Sequence, residues 1–347
     1  MHSPIRPDQN ASSRQPACLA PGLALALVLA LAASWIGRAF PLVGGAVSGI
    51  VLGLLVRQAF SPGPRFAPGI AFAGSKVLQW SVMTLGFGLS LAQVAKVGLE
   101  SLSVTLVTLT TAFATAWLLG RWLKVRGHLT LLVGVGTAIC GGSAIAAVTP
   151  ILRAPEHDTA FAISTVFLFN VVAVLVFPAL GHALGLSDLG FGLWAGTAIN
   201  DTSSVVAAGY AYSPAAGDYA TIVKLTRATL IVPICLALAV AVAWRERRRG
   251  ADAGAGGFRF TRVFPWFILG FLLASGLRSF GLIPAPALPW LQSLAHFLIV
   301  LALTGVGLGA ELRQMLATGP RPILLGLGVW VAVAASSLLV QQVVGKL

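Results

Sequence analysis

The chain has 347 residues, of which 57% are hydrophobic and only 10% charged, with a formal net charge of +13. A soluble chain carries about a quarter charged residues, so a soluble globular enzyme is excluded and a polytopic membrane protein is indicated. The basic residues sit between apolar segments rather than in a patch or tail, which reads as membrane topology and not as nucleic-acid binding.

Residues 1–20 are polar, carry Arg6 and Arg14, and are expected to form a disordered cytoplasmic tail. Residues 23–36, with Ala32-Ala33-Ser34 near their end, have the character of a signal-peptide core. More apolar segments follow at once, so a retained first helix is expected. Apolar segments run over 21–37, 40–59, 72–93, 99–122, 128–152, 157–181, 189–212, 219–244, 264–280, 288–310 and 322–345. The breaks are Arg57 to Lys76, Arg121 to Arg126, and Trp244 to Arg262. The last holds Arg245-Glu246-Arg247-Arg248-Arg249 and an Ala/Gly run, and is expected as a basic cytoplasmic loop over 245–262 within one transmembrane domain, 21–347. The expected fold is an all-α polytopic membrane protein of about 9–11 transmembrane segments, two of them interrupted or re-entrant.

Orientation follows from Lys and Arg. With the N-terminus inside, and with 128–152 and 189–212 not counted as crossings, Arg57, Arg65, Lys76, Arg121, Lys124, Arg126, Arg153, the 245–262 cluster, Arg313 and Arg321 fall inside. The loops 182–188 and 213–218, which have no Lys or Arg, fall outside; Arg38, Lys96, Arg278 and Lys346 are exceptions. Counting the two segments as full spans moves Arg153 outside and puts the uncharged 182–188 loop inside. Re-entrant hairpins fit better. Their arms, 128–139 and 189–200, would each carry a polar tip to the middle of a core about 30 Å thick. One would insert from each side, the inverted arrangement of a transport site.

The tips are Gly136-Thr137-Ala138-Ile139-Cys140-Gly141-Gly142-Ser143 and Gly196-Thr197-Ala198-Ile199-Asn200-Asp201-Thr202-Ser203-Ser204. A weaker echo joins Gly86-Phe87-Gly88-Leu89-Ser90 to Gly305-Val306-Gly307-Leu308-Gly309. Asp201 is an intramembrane carboxylate, which marks an ion or substrate pathway. Asn200 to Ser204 are also all helix-capping types, so a structural cap is the other reading. Lys224 and Arg227 stand three apart on one helix face. Arg227 falls about 12 Å along a helix starting near Asp218. Either the two cations pair with Asp201, or their surplus charge receives an anion, for which arginine offers a planar fork of donors. Gly141, Gly142, Ser143, Thr202 and Ser203 would add backbone and hydroxyl donors at broken-helix N-termini. Asn170 and Cys140 are pathway candidates, as are Gln292 and His296; for the histidine a helix–helix contact is the competing reading. Glu311 and Arg313 are expected to be solvated, and Trp35, Trp122, Trp244, Trp266 and Trp290 to anchor at interfaces. Cys18, Cys140 and Cys235 fit no metal spacing. No phosphate loop, zinc motif or nucleophile elbow occurs, so an enzyme, a metal site and a cofactor are not expected.

Residues 136–147, 195–209 and Ala220-Thr221-Ile222-Val223-Lys224-Leu225-Thr226-Arg227 resemble the YeiH-type membrane proteins, a group regarded as sulfate exporters. The resemblance covers roughly 22–345, including Lys76 and Gly86 to Ser90. It implies a fold with inverted repeats and interrupted helices, like cation/proton antiporters and anion transporters, in a bacterial inner membrane. It also implies export of sulfate or a related sulfur anion. The chain departs from that pattern in having Asn200 where members often have His before the acid, and Ser203-Ser204 where they have Ala-Gln. The expectation is therefore a secondary transporter for a small anion, coupled to a proton or sodium ion through Asp201 and Asn200 or to the membrane potential. Two alternatives stay open: a cation/proton antiporter using Asn200-Asp201, and a non-transporting sensor or assembly subunit. Expected partners are the anion, the coupling ion and the lipid bilayer, with no nucleic acid; a homodimer is left open.

Overall fold

A computed structural model describes residues 19–39, 44–248 and 264–345. The tail expected over 1–20 lies outside the described residues except for its last two positions, and Cys18 and Lys346 lie outside them as well. So does most of the loop expected at 245–262, whose first residues instead continue a helix to Arg248. No strand occurs among the described residues.

The helices are α1 (Ala20–Ala39), α2 (Gly44–Phe60) and a rod of α3 (Ala67–Phe72), a π-helical turn (Ala73–Val77) carrying Lys76, and α4 (Leu78–Leu85). Then come α5 (Leu91–Trp122), α6 (Gly127–Ala138), α7 (Gly142–Leu152), α8 (Glu156–Ala183), α9 (Asp188–Ala198) and α10 (Thr202–Tyr212). The chain closes with α11 (Pro214–Thr229), α12 (Ile231–Arg248), α13 (Trp266–Ser279), α14 (Ala287–Gly309), α15 (Leu312–Leu316) and α16 (Pro320–Val344). Among the described residues six rods are long and apolar enough to cross a bilayer: α1, α5, α8, the joined α11 and α12 over Pro214–Val242, α14 and α16. The protein is an all-α polytopic membrane protein.

One expected break is absent. Segments 72–93 and 99–122 were to be separated near Lys96, but α5 already begins at Leu91 and contains Lys96 and Gly98. The Ser90 hydroxyl accepts from the Gln93 N–H while the Gln93 side chain reaches back to the Ser90 N–H, a capping box that starts the helix there. The actual break is the short turn Gly86–Gly88 and the extended Leu89. At 32 residues, α5 is about 48 Å long.

Two layers result. In the first, α1, α2, the α3–α4 rod and α14 pack together. Contact between α2 and α14 depends on small residues: a Cβ on Gly53 would lie 2.5 Å from the Thr304 carbonyl oxygen, and one on Gly307 2.3 Å from that of Ile50. Glycine lets backbones approach this closely where lipid supplies no hydrophobic drive between helices. The second layer, α5 to α11 with α16, is built on Leu132, Ile145, Phe177, Trp194 and Val329.

α8 serves as a ruler for the segments on either side of it. At its N-terminal end, Arg126, just before α6, contacts His157 and lies 3.9 Å from Asp158. Thr149, near the end of α7, meets Thr159 at 3.2 Å. Both ends of α6–α7 therefore sit at one end of α8, while the turn at Gly141 and Gly142 lies beside Val166 and Phe167. The second segment does the opposite. Ser213, after α10, donates to Asp188, at the start of α9, over 2.7 Å. Phe191 stacks on Tyr212 with centroids 4.0 Å apart, and both lie against Gly181 near the C-terminal end of α8. The turn of this second segment reaches Asn170, midway along α8. The segments are re-entrant hairpins that open in opposite directions and meet at their tips. The end at which the first hairpin opens carries Arg57, Arg121, Lys124, Arg126, Arg153, Arg313 and Arg321 and is called the basic end below.

Candidate functional site

The last turns of α6 and α9 carry the same four residues, Gly136-Thr137-Ala138-Ile139 and Gly196-Thr197-Ala198-Ile199. A helix end leaves its last carbonyls without intrahelical partners and concentrates the negative end of the helix dipole there. In mid-membrane no water satisfies them. α11 does so. Lys224 Nζ donates to the carbonyls of Ile139 at 2.9 Å and Ile199 at 3.0 Å. Arg227 donates through Nε to Ala138 at 2.6 Å and through its terminal nitrogens to Thr137 and Thr197. Each cation thus bonds both hairpins at once, and both side chains are 0% exposed.

This geometry corrects the expected roles of Lys224 and Arg227. Neither pairs with Asp201, and neither lines the cavity described below. Two helix C-termini with five orphan carbonyls outcompete one carboxylate that already has partners. The depth also changes. α11 starts at Pro214 rather than near Asp218, so Arg227 lies about 20 Å along the rod.

Asp201 caps α10: its Oδ2 accepts from the Ser203 N–H at 2.9 Å and from the Ser203 hydroxyl. Its own N–H donates to Asn170 Oδ1 at 3.2 Å. The capping reading is therefore met, and the carboxylate also lines a cavity. Gly141 forms the facing turn at φ +72°, and a Cβ there would sit 3.5 Å from the Asp201 Cβ. The tips touch. Asn170 and Asn200 are buried just behind them, and Asn170 Nδ2 and Asn200 Oδ1 have no hydrogen-bond partner. Cys140 is buried at the first tip and, like Cys235, is a free thiol.

A cavity of about 590 Å³ runs from the tips toward the basic end. Ser143, Asp201, Thr202 and Ser203 line its inner end, at the N-termini of α7 and α10. Ser75, Gln79 and Ser164 add polar groups to its walls, and Arg57 and Glu311 stand at its mouth. Glu311, expected to be solvated, is 45% exposed and is ion-paired with Arg57. Gly141 and Gly142 shape the turn but do not line the cavity, and neither do Cys140, Asn170 or Asn200. Gln292 and His296 lie elsewhere. Gln292 packs beside Gly88, and the His296 ring meets Tyr210 edge-on at 5.0 Å, a helix–helix contact. Among the described residues no group of three or more His, Cys, Asp or Glu side chains converges as metal ligands do.

Sequence reasoning missed the carbonyls that hold Lys224 and Arg227, although the repeated Gly-Thr-Ala-Ile was in view. It also missed Ser75, Gln79 and Ser164, whose only signal is a polar residue in an apolar run.

The family model described as Conserved hypothetical protein 698 matches residues 21–326. A UPF0324 membrane protein of Streptococcus pyogenes serotype M18 is 43% identical over 333 residues, covering 94% of this chain and 97% of its own. Similar proteins of the same description occur in Clostridium tetani, 38% identical over 335 residues (94% and 97% covered), and in Fusobacterium nucleatum, 38% identical over 344 residues (93% and 98% covered). All three are named as membrane proteins.

Proposed function

The chain belongs to the Conserved hypothetical protein 698 family, the one its motifs resemble, and from that premise we propose that it is a secondary active transporter for a small anion. The observation that carries this reading is the meeting of two oppositely inserted hairpins whose second arms, α7 and α10, both point their N-termini into one cavity. Helix N-termini with adjacent hydroxyls are anion sites.

Charge counting supports the choice of an anion. Each helix end carries roughly half an elementary charge. The C-termini of α6 and α9, about −1 together, face Lys224 and Arg227; the N-termini of α7 and α10, about +1 together, face Asp201. About one positive charge remains, and about two once Asp201 takes a proton. Such a surplus in a low-dielectric core is costly unless an anion meets it. Ser143, Thr202 and Ser203 bind the anion in this reading. Lys224 and Arg227 act at a distance, holding the hairpin ends and setting the potential. Asp201, whose Oδ2 holds the Ser203 N–H at the inner end of the cavity, is the coupling-ion group in this reading.

In this reading the basic end, and the start of α1 with it, faces the cytoplasm across a bacterial inner membrane, as the positive-inside rule would have it. The cavity then loads from inside; as the alternative to proton coupling, the membrane potential would drive export of the anion. Sulfate or a related sulfur oxyanion or sulfonate is the proposed substrate. One observation favours a second reading. The unpartnered Asn200 Oδ1 beside the Asp201 carboxylate would suit a cation, as in a cation/proton antiporter.

Proteoliposome flux separates the two. Saturable uptake of sulfate, sulfite or a small sulfonate, abolished by Thr202→Val/Ser203→Ala, is the expected result. Sodium- or potassium-driven pH change with no anion flux would overturn the anion assignment.

A further inference from the structure

Toward the basic end the two layers are parted by the cavity, with Ile70, Gly74 and Leu308 on one wall and Ser143, Ile163 and Thr202 on the other. Toward the opposite end the same layers are closed. There Ala46, Val47 and Ile50 of α2 and Ala295 and Ile299 of α14 pack on Val206, Ala207 and Ala211 of α10. This seam is rich in alanine, which offers little interlocking.

Polar groups close it at its outer edge. Tyr210 of α10 donates its hydroxyl proton to Asp218 Oδ1 of α11, and its ring meets that of His296 of α14 edge-on, with centroids 5.0 Å apart and planes at 73°. Gly217 lets the tyrosine ring lie flat on α11, because a Cβ there would sit 2.5 Å from it. Tyr210 and Asp218 belong to the hairpin layer and His296 to the other, so the cluster spans the two bodies that must part if the site is to face the opposite side.

We propose that Tyr210, Asp218 and His296 form the gate that closes the substrate site on the side away from the cavity mouth. Asp218 orients the Tyr210 hydroxyl, and the Tyr210 ring against His296 is the contact that breaks on opening. On opening, water takes the place of the Tyr210 ring at the His296 imidazole, while the Tyr210–Asp218 bond, made within one layer, persists. Alternating access, and with it this gate, rests on the transporter reading above.

The test is sided labelling of full-length protein with Cys18, Cys140 and Cys235 replaced by alanine and Ser143→Cys as reporter. A membrane-impermeant thiol reagent is applied to oriented vesicles from each side. The parent is expected to label from the basic end and to be protected from the other. Tyr210→Phe, Asp218→Asn and His296→Gln are each expected to raise opposite-side labelling about tenfold, as loss of one charge-assisted hydrogen bond or its orienting effect allows. Tyr210→Phe removes a single oxygen and leaves the packing intact, so it reports on the latch even where another variant fails to fold. Opposite-side labelling that stays at background in Tyr210→Phe and His296→Gln would overturn the gate alone. A parent that never labels from the basic end would overturn the transport cavity itself.

Discussion

Lys224→Met removes one ammonium and leaves a side chain of similar length in its place. Two buried carbonyls, those of Ile139 and Ile199, then lose the donors now at 2.9 and 3.0 Å. An unsatisfied buried polar group costs about 1–3 kcal/mol, so two cost about 2–6 kcal/mol. Whole-protein stability is typically about 5–15 kcal/mol, which makes this a large fraction. Part of the loss is offset because a buried charge no longer has to be desolvated. It is not cancelled, because the ends of α6 and α9 then present like partial charges to each other with only Arg227 between them. Purified protein should melt several degrees lower in a detergent thermal scan. Cys140, buried next to Ile139, should become reactive to thiol reagents before global unfolding. Lys224→Arg, which keeps charge and donors, should recover much of both. A Lys224→Met protein with unchanged melting temperature and protected Cys140 would show that the cation does not hold the hairpin ends together.

Asp201→Asn preserves a good capping residue and should leave melting nearly unchanged while lowering coupled anion flux in proteoliposomes. Gly141→Ala forces a side chain into φ +72° with ψ −130°, beside Asp201. It should cost about 1–3 kcal/mol and lower transport more than expression. Gly53→Leu drives a side chain into the Thr304 carbonyl and should abolish folded yield, seen as loss of the monodisperse peak in size-exclusion chromatography. Glu311→Gln breaks a pair whose side chains are 23% and 45% exposed, and should move stability by no more than about 1 kcal/mol in the same thermal scan.

The hairpins were legible because three signals agree: the polar tips, the arm lengths, and the absence of Lys and Arg from 182–188 and 213–218. The tip contact between Gly141 and Asp201 follows from the same reasoning. What Lys224 and Arg227 hold was not legible. Their partners are backbone carbonyls, which no side chain announces, and a lone acid with two bases suggests an anion site or an ion pair instead. The clue was the duplicated Gly-Thr-Ala-Ile, which marks two equivalent helix ends in need of donors. The start of α5 was hidden for another reason. Hydropathy averages over Lys96 and Gly98, whereas the boundary is set by the local Ser90–Gln93 box. The cavity walls gather Ser75, Gln79, Ser164 and Ser203 from distant parts of the chain, and only the packing of the layers makes them neighbours.

Everything proposed depends on two hairpins that open in opposite directions. Single cysteines at Lys124 and Arg153 flank the first, and others at Leu184 and Ala215 flank the second. In a cysteine-free background, an impermeant thiol reagent is predicted to reach the first pair from one face of the membrane and the second pair from the other. If Lys124→Cys and Arg153→Cys label from opposite faces, the first segment crosses the bilayer and the account is wrong.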